Sequence, residues 1–273
     1  MNEDLQGWTG RCQTSEDMID TGRANALLTT LGRSEQLAAG DPLPGLFHWI
    51  YFWTVRPPAE LGRDGHPQRG GFLPALPDAW RRMWAGSSVE FLAPLPMGAP
   101  GRRVSTIDKV ARKTGRTGEL VFVSVAHEIF GEAGLAVRER QDIVYLAPDG
   151  GERAPPQPAP DCDWREPVDA GPVLLFRYSA LTFNGHRIHY DHPYATGVEG
   201  YAGLVIHGPL QATLMHDLAE RRIGRLSRFE FRGRHPACDD QPIEVCGSRT
   251  PEGAEMWTAQ AGGMRMTGRA VKA

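Results

Sequence analysis

The 273-residue chain holds no run approaching the roughly 18 uninterrupted apolar residues that a membrane-spanning helix requires, so no span is expected. Cysteine is scarce. Cys12, Cys162, Cys238 and Cys246 stand apart without a C-x-x-C pair, which provides neither a zinc cage nor a dense disulfide framework, and reduced thiols are expected. Neither sign of charge dominates: 30 basic side chains against 33 acidic ones leave a formal net charge of -3. That excludes a broad electrostatic attraction to nucleic acid or to acidic membranes. The opening MNEDLQGWTGRCQTSED lacks the basic start and apolar stretch of a signal peptide, and a cytoplasmic protein is expected. What remains is an ordinary hydrophobic content of 41%, in a chain long enough for two domains of about 130 residues each.

Thr14 followed three residues later by Asp17 resembles a capping box. Ile19, Ala26, Leu27 and Leu31 then recur at helical spacing up to Gly32, predicting a first helix of about four to five turns. Gly- and Pro-rich connections follow, with an aromatic run from Leu46 to Trp53 and a short Trp-bearing helix expected around Asp78 to Trp84. From Ser87 the pattern becomes that of strands: Val89 and Phe91, Val104 to Arg112, Leu120 to Ile129 and Leu135 to Leu146, with a hairpin turn at Gly115-Arg116-Thr117-Gly118. Leu120 to Val125 is almost wholly apolar, as in a strand covered on both faces. Residues 148–160, PDGGERAPPQPAP, read as a semi-rigid linker.

Beyond it lie an apolar stretch from Val173 to Tyr178, read as a short strand, a polar loop, and one strong helix carrying Leu210, Leu214, Met215 and Leu218 up to Gly224. Strands resume at Phe229/Phe231, Ile243/Val245, Met256 to Ala261 and, past Gly262-Gly263, Met264 to Met266. Each half is thus a helix followed by antiparallel strands, an α+β arrangement with a long helix packed on a sheet, duplicated in architecture but not in letters. The expected boundaries are 1–147, a linker at 148–165, and 166–273.

Five of the nine histidines, His186, His189, His192, His207 and His216, fall in one stretch rich in Asn, Asp, Tyr and Gly. His48, His66, His127, His216 and His235 are read as surface or satisfied core residues. The strong helix starts at His207-Gly208-Pro209, where unpaired N–H groups and the positive end of the helix dipole could stabilise a thioester oxyanion, with Gly208 as donor. An ordinary buried helix entered through a tight turn accounts for that piece equally well. His189-Tyr190-Asp191 with His235 also satisfies the ligand pattern of a non-haem iron oxygenase, a weaker reading because H-x-D pairs arise often by accident. Arg102-Arg103, Arg221-Arg222, Arg225, Arg232 and Arg234 are candidate phosphate contacts.

Asn184-Gly185-His186-Arg187-Ile188-His189-Tyr190-Asp191 resembles the D-x-N-P-L-H-x-D motif of the MaoC-like hydratases. Tyr178-Ser179 matches the aromatic-small pair upstream, and Val205-Ile206-His207-Gly208 the start of the central helix. The wording ALTFNGHRIHYD is closest to the hydroxyacyl-thioester dehydratases, the group that includes mesaconyl-C4-CoA (3-methylfumaryl-CoA) hydratases. The resemblance implies a double hot-dog fold with a degenerate first half. It implies reversible hydration of an α,β-unsaturated acyl-CoA, such as mesaconyl-C4-CoA to citramalyl-CoA, with His189 as catalytic residue. It departs from the motif at Asn184, which stands where the family has aspartate and cannot take a proton. The expected division of labour is proton transfer by His189, a water oriented by Asn184, and carbonyl polarisation by the Gly208 N–H. Arg187, Tyr190, His207 and Tyr178 are expected to bind substrate, with Arg187 and less so Arg177 as partners for a substrate carboxylate. No metal and no cofactor beyond the substrate's coenzyme A are expected, and a homodimer is open. Thioesterase activity or non-catalytic acyl-thioester binding are the alternatives.

Overall fold

The computed structural model describes residues 5–77, 79–115, 118–147 and 154–273. The first half contributes strands β1 (Cys12–Met18), β2 (Arg81–Phe91), β3 (Pro100–Gly115), β4 (Gly118–Gly131) and β5 (Gly134–Leu146). The second contributes β6 (Trp164–Val168), β7 (Leu226–Gly233), β8 (Ile243–Thr250), β9 (Gly253–Gln260) and β10 (Gly263–Lys272). Among the described residues they form one ten-stranded sheet in the order β1-β3-β4-β5-β2-β7-β10-β9-β8-β6, with every pairing antiparallel. Counted from its own first strand, each half runs 1-3-4-5-2 inward from its edge. The duplication that the letters hide is therefore present in the topology: two hot dogs joined edge to edge.

The seam between the halves is the β2–β7 ladder, from Gly86 opposite Arg232 to Glu90 opposite Arg228. A Cβ on Gly86 would stand 2.3 Å from the Phe231 carbonyl oxygen, so the backbones approach too closely for any side chain there. Gly86→Ala should cost about 1–3 kcal/mol through this overpacking. Urea unfolding would read it, and an unchanged midpoint would contradict the seam as described.

Four α-helices are present among the described residues: α1 (Thr21–Thr30), α2 (Pro172–Thr182), α3 (His192–Gly197) and α4 (Gly208–Ile223). The helix α4 lies on β7 to β10 and buries Leu210, Ala212, Met215, Leu218 and Ala219. Each large apolar side chain so covered stabilises the fold by about 1.5–3 kcal/mol. Arg221 and Arg222 in its last turn complement the helix dipole, and Gly224, at φ 86°, follows as the cap.

Four expectations change. Thr14 and Asp17 lie in β1, paired with β3, because CQTSEDM alternates in exposure as an edge strand does. The cap of α1 is Asp20, whose carboxylate accepts the Arg23 N–H at 2.9 Å, and the helix has only 10 residues. The Trp-bearing segment is the start of β2 rather than a helix. Val173 to Tyr178 belongs to α2, not to a strand: Pro172 occupies the first turn, and only Leu175, Tyr178 and Ser179 are buried. A short apolar run does not distinguish the two states by periodicity. No counterpart of α4 exists in the described first half, where the chain between α1 and β2 runs in loops and two 3-10 turns, Phe47–Ile50 and Pro58–Glu60. The long helix expected in each half is thus a property of the second alone.

Part of the Pro-rich segment is laid along the β9–β10 turn, with Ala159 N–H donating to Gly262 O at 2.9 Å and Met264 N–H to Gln157 O at 2.8 Å. Residues 1–4, residues 148–153 of that segment, Arg116 and Thr117 of the expected hairpin turn, and Asp78 lie outside the described residues. Among the described residues no helix is long and apolar enough to cross a membrane.

Candidate active site

The motif follows the C-terminus of α2. Phe183 caps that helix in the left-handed region at φ 51°, and Trp53 from the first half stacks on it with ring centroids 5.0 Å apart. Asn184 then makes a turn: its N–H donates to Ser179 O (2.8 Å) and its Oδ1 accepts the His186 N–H (3.0 Å). The following 3-10 turn, Arg187–His189, is sewn to the segment leading into α4. Val205 N–H donates to Ile188 O at 2.9 Å, and His189 Nδ1–H donates to Val205 O at 2.7 Å. A carbonyl only accepts, so the hydrogen of neutral His189 is on Nδ1 and Nε2 keeps its lone pair. The same pairing brings His189 beside the first turn of α4.

His189 and His207 stack face to face, with centroids 3.7 Å apart and planes at 19°. Ser179 Oγ lies 2.8 Å from His207 Nε2, and Tyr178 meets the His207 ring edge-on. Burial, aided by the neighbouring His186, pushes His189 down to about 3 and holds it neutral. His207 is held well below the usual histidine value by burial and by His189 and His186. A neutral, desolvated imidazole with a fixed tautomer can take a proton from water.

His189, Asn184, Gly208, Pro209, Gln211 and Tyr178 open onto a cavity of about 1130 Å³ whose other wall comes from the first half. That wall carries His48, Asp64, His66, Arg82, Arg103, His127 and Glu139 together with Trp49 and Trp84. His66 packs 4.1 Å from His186, which meets His189 edge-on at 5.4 Å. Asp64 Oδ2 accepts from His66 Nδ1 at 2.9 Å. One atom each of Asp64, His66 and His186 falls within 4.8 Å of the others, a spacing open to a divalent cation. The direct bond between Asp64 and His66 is also the arrangement by which a carboxylate orients an imidazole.

A model of the hydroxyacyl-thioester dehydratase type 2 family matches residues 46–239. The chain belongs to that family. It is 44% identical over 248 residues to mesaconyl-C(4)-CoA hydratase of Chloroflexus aurantiacus, covering 89% of this chain and 88% of the relative. The crystal structure of a MaoC-like dehydratase from Phytophthora capsici superposes with TM-score 0.71 at 14% identity, over 97% of this chain and 96% of that one. A Mycobacterium tuberculosis protein described as a double hotdog gives 0.57 at 11% identity, over 96% of each chain. These likenesses carry the fold.

Within this family member, three residues expected to touch substrate lie elsewhere. Arg187 gives both Nε and Nη2 to Asp191 (3.0 and 2.7 Å), and its guanidinium lies over the Tyr194 ring, away from the cavity lining. Tyr190 is half-exposed and donates to Gly185 O. His207 stands behind His189 as its packing partner, so it positions rather than contacts. Asp191, the acid of the oxygenase reading, caps α3 and binds Arg187. Of the phosphate candidates, Arg221 and Arg222 pair with Glu166, while Arg234 lines the cavity. Of the histidines expected at the surface or in the core, His48, His66, His127 and His235 all line the cavity. For His66 a signal existed: D-x-H inside the turn-forming RDGHP, where the carboxylate can reach back to the ring.

Proposed function

We propose that the protein is a hydro-lyase that adds water reversibly across the double bond of an α,β-unsaturated acyl-CoA thioester, working in the cytoplasm without a cofactor beyond the substrate's coenzyme A. The observation that carries this is the pairing of a neutral His189 Nε2 with the first turn of α4 on one cavity. In this reading the Gly208 N–H, an orphan donor at the positive end of the helix, meets the thioester oxygen as it gains charge. His189 removes a proton from water and returns it to Cα. The second half is the catalytic domain, and the first is the wall that shapes the acyl pocket. The test follows loss of the conjugated enoyl absorbance with crotonyl-CoA and mesaconyl-C4-CoA. Bleaching of either supports the proposal, whereas release of free thiol without hydration would make the protein a thioesterase.

The acyl group we assign is short and bears a carboxylate, as in mesaconyl-C4-CoA. The inner wall supports this. Apolar side chains make up much of the lining, but Arg103, His127 and the His48–Glu139 pair also stand at the cavity, where a wholly apolar chain would meet them. Arg103 gives Nη2 to Phe52 O at 2.9 Å while its Nε is buried without a partner, and burial pushes its guanidinium down. A desolvated cation of this kind is stabilised by an anionic ligand. Arg103→Met should weaken KM for mesaconyl-C4-CoA by about 10–100-fold, the loss of one charged hydrogen-bonding partner, and leave crotonyl-CoA within a few-fold. Equal losses on both substrates would remove Arg103 from this role.

A further inference from the structure

The carboxylate that is absent at position 184 has a spatial counterpart from the other half of the chain. The turn Gly62 to His66 closes on itself, Gly65 N–H donating to Gly62 O (3.0 Å) and Gly62 N–H to His66 O (2.7 Å). It is docked against the motif loop: Arg187 N–H donates to Asp64 O at 2.9 Å, and Arg187 Nη1 to Arg63 O at 3.2 Å. Gly65, at φ 87°, comes so near that a Cβ there would lie 2.0 Å from Gly185 O. Asp64 Oδ1 accepts the His66 N–H (3.0 Å) and Oδ2 accepts Nδ1–H (2.9 Å). That fixes the tautomer and leaves His66 Nε2 as an acceptor on the cavity that His186 and His189 also line. Burial opposes ionisation of Asp64, but the hydrogen bonds from His66 hold its carboxyl well below the usual carboxylate range, while burial lowers His66 itself to about 4 and keeps the imidazole neutral. Asn184 turns its Oδ1 toward the His186 N–H, and its other polar atom, Nδ2, can only donate.

We propose that His66, held by Asp64, is the second catalytic group of the hydration, accepting at Nε2 the hydrogen of the attacking water that His189 does not take. The proposal rests on the hydratase reading above. As the water oxygen bonds to Cβ, His189 Nε2 takes one of its protons, and the π pair moves through Cα to the thioester oxygen facing the Gly208 N–H. His189 then returns that proton to Cα, which restores the carbonyl and the neutral imidazole. The other hydrogen stays on oxygen throughout, directed at His66 Nε2, and leaves as the hydrogen of the product hydroxyl. The negative charge of Asp64 offsets the transient imidazolium across this cluster.

The wild-type chain, His66→Ala, and His66→Ala combined with Asn184→Asp would be compared for kcat, KM and thermal unfolding on the enoyl-CoA that the wild type turns over. His66→Ala should lower kcat by about 10²-fold with KM within a few-fold. The double variant should recover at least about tenfold of that loss, because a carboxylate at 184 can accept the same hydrogen while keeping its turn. A merely structural role for His66 predicts no such rescue. The proposal is overturned if His66→Ala keeps its kcat, or if the folded double variant is as slow as the single one. It is equally overturned if the wild type loses activity to a chelator and regains it with zinc, which would assign Asp64, His66 and His186 to a cation. A wild type that hydrates no enoyl-CoA would overturn the reading beneath the proposal, and does so before any variant is made.

Discussion

His189→Ala should lower kcat on an enoyl-CoA by about 10²–10⁴-fold, the range lost when a positioned proton-transfer group is removed. The expectation follows from the hydrogen bond at Val205 O, which leaves one lone pair on His189 and points it into the cavity. His207 cannot substitute. It lies behind the His189 ring and outside the cavity lining, with its Nε2 against Ser179. The variant leaves an imidazole-sized gap but no unpaired buried charge, since the residue is neutral in the fold, so its thermal unfolding should shift by only a few degrees. The pH profile gives a second check. Burial lowers His189 to about 3, so it stays a base from pH 8 downward through the range where an unperturbed histidine titrates. The wild-type kcat should therefore show no His189 limb between about pH 6 and 7. An alanine variant that kept its rate would remove His189 from the chemistry altogether.

The part of the site that the sequence discloses is the part that is local in the chain. Asn184 to His189 and His207-Gly208 are separated by one short helix, and their spacing alone put them on one loop and one helix start. The helix before that loop is where expectation and structure part: the six residues Val173 to Tyr178 have no period long enough to separate helix from strand, and Pro172, at home in a first turn, is the better guide. Arg187 illustrates a different limit. Its charge suggested a substrate carboxylate, yet Asp191 stands four residues on and takes both of its donors. The opposite wall could not be read at all. His48, Asp64, His66 and Glu139 reach the cavity from loops and a strand of the first half, more than forty residues before the motif, and nothing periodic marks a contact of that range. The strand β5 looked like any alternating strand, although it carries a carboxylate that is only 3% exposed.

That carboxylate, Glu139, should prove to be among the most stabilising single side chains in the first half. It accepts from Trp49 Nε1 at 3.0 Å and Ser87 Oγ at 2.8 Å, and lies 3.0 Å from His48 Nε2. Trp84 Nε1 in turn donates to Ser87 Oγ at 3.0 Å and to Gly86 O at 3.1 Å, so the network ends on the β2–β7 seam. Burial alone would raise the Glu139 carboxyl; the hydrogen bond and charge of His48, the charge of His127 and the Trp49 N–H outweigh it and bring the group down to about 2 from its usual 4.5. A carboxyl depressed in the fold stabilises it above the unfolded value and loses that contribution as pH falls through the folded one. Glu139→Ala should cost about 3–5 kcal/mol at pH 7, because it strands the buried Trp49 and Ser87 donors and the His48 ring that the carboxylate now meets. It should also flatten the fall in stability between pH 4.5 and 2 that the wild type shows. Glu139→Gln, which keeps an acceptor for Trp49 or Ser87 but not the charge, should lie between the two. Urea unfolding at pH 7 and again near pH 4 separates these outcomes, and an alanine variant within about 1 kcal/mol of wild type at both would mean that the network adds no net stability.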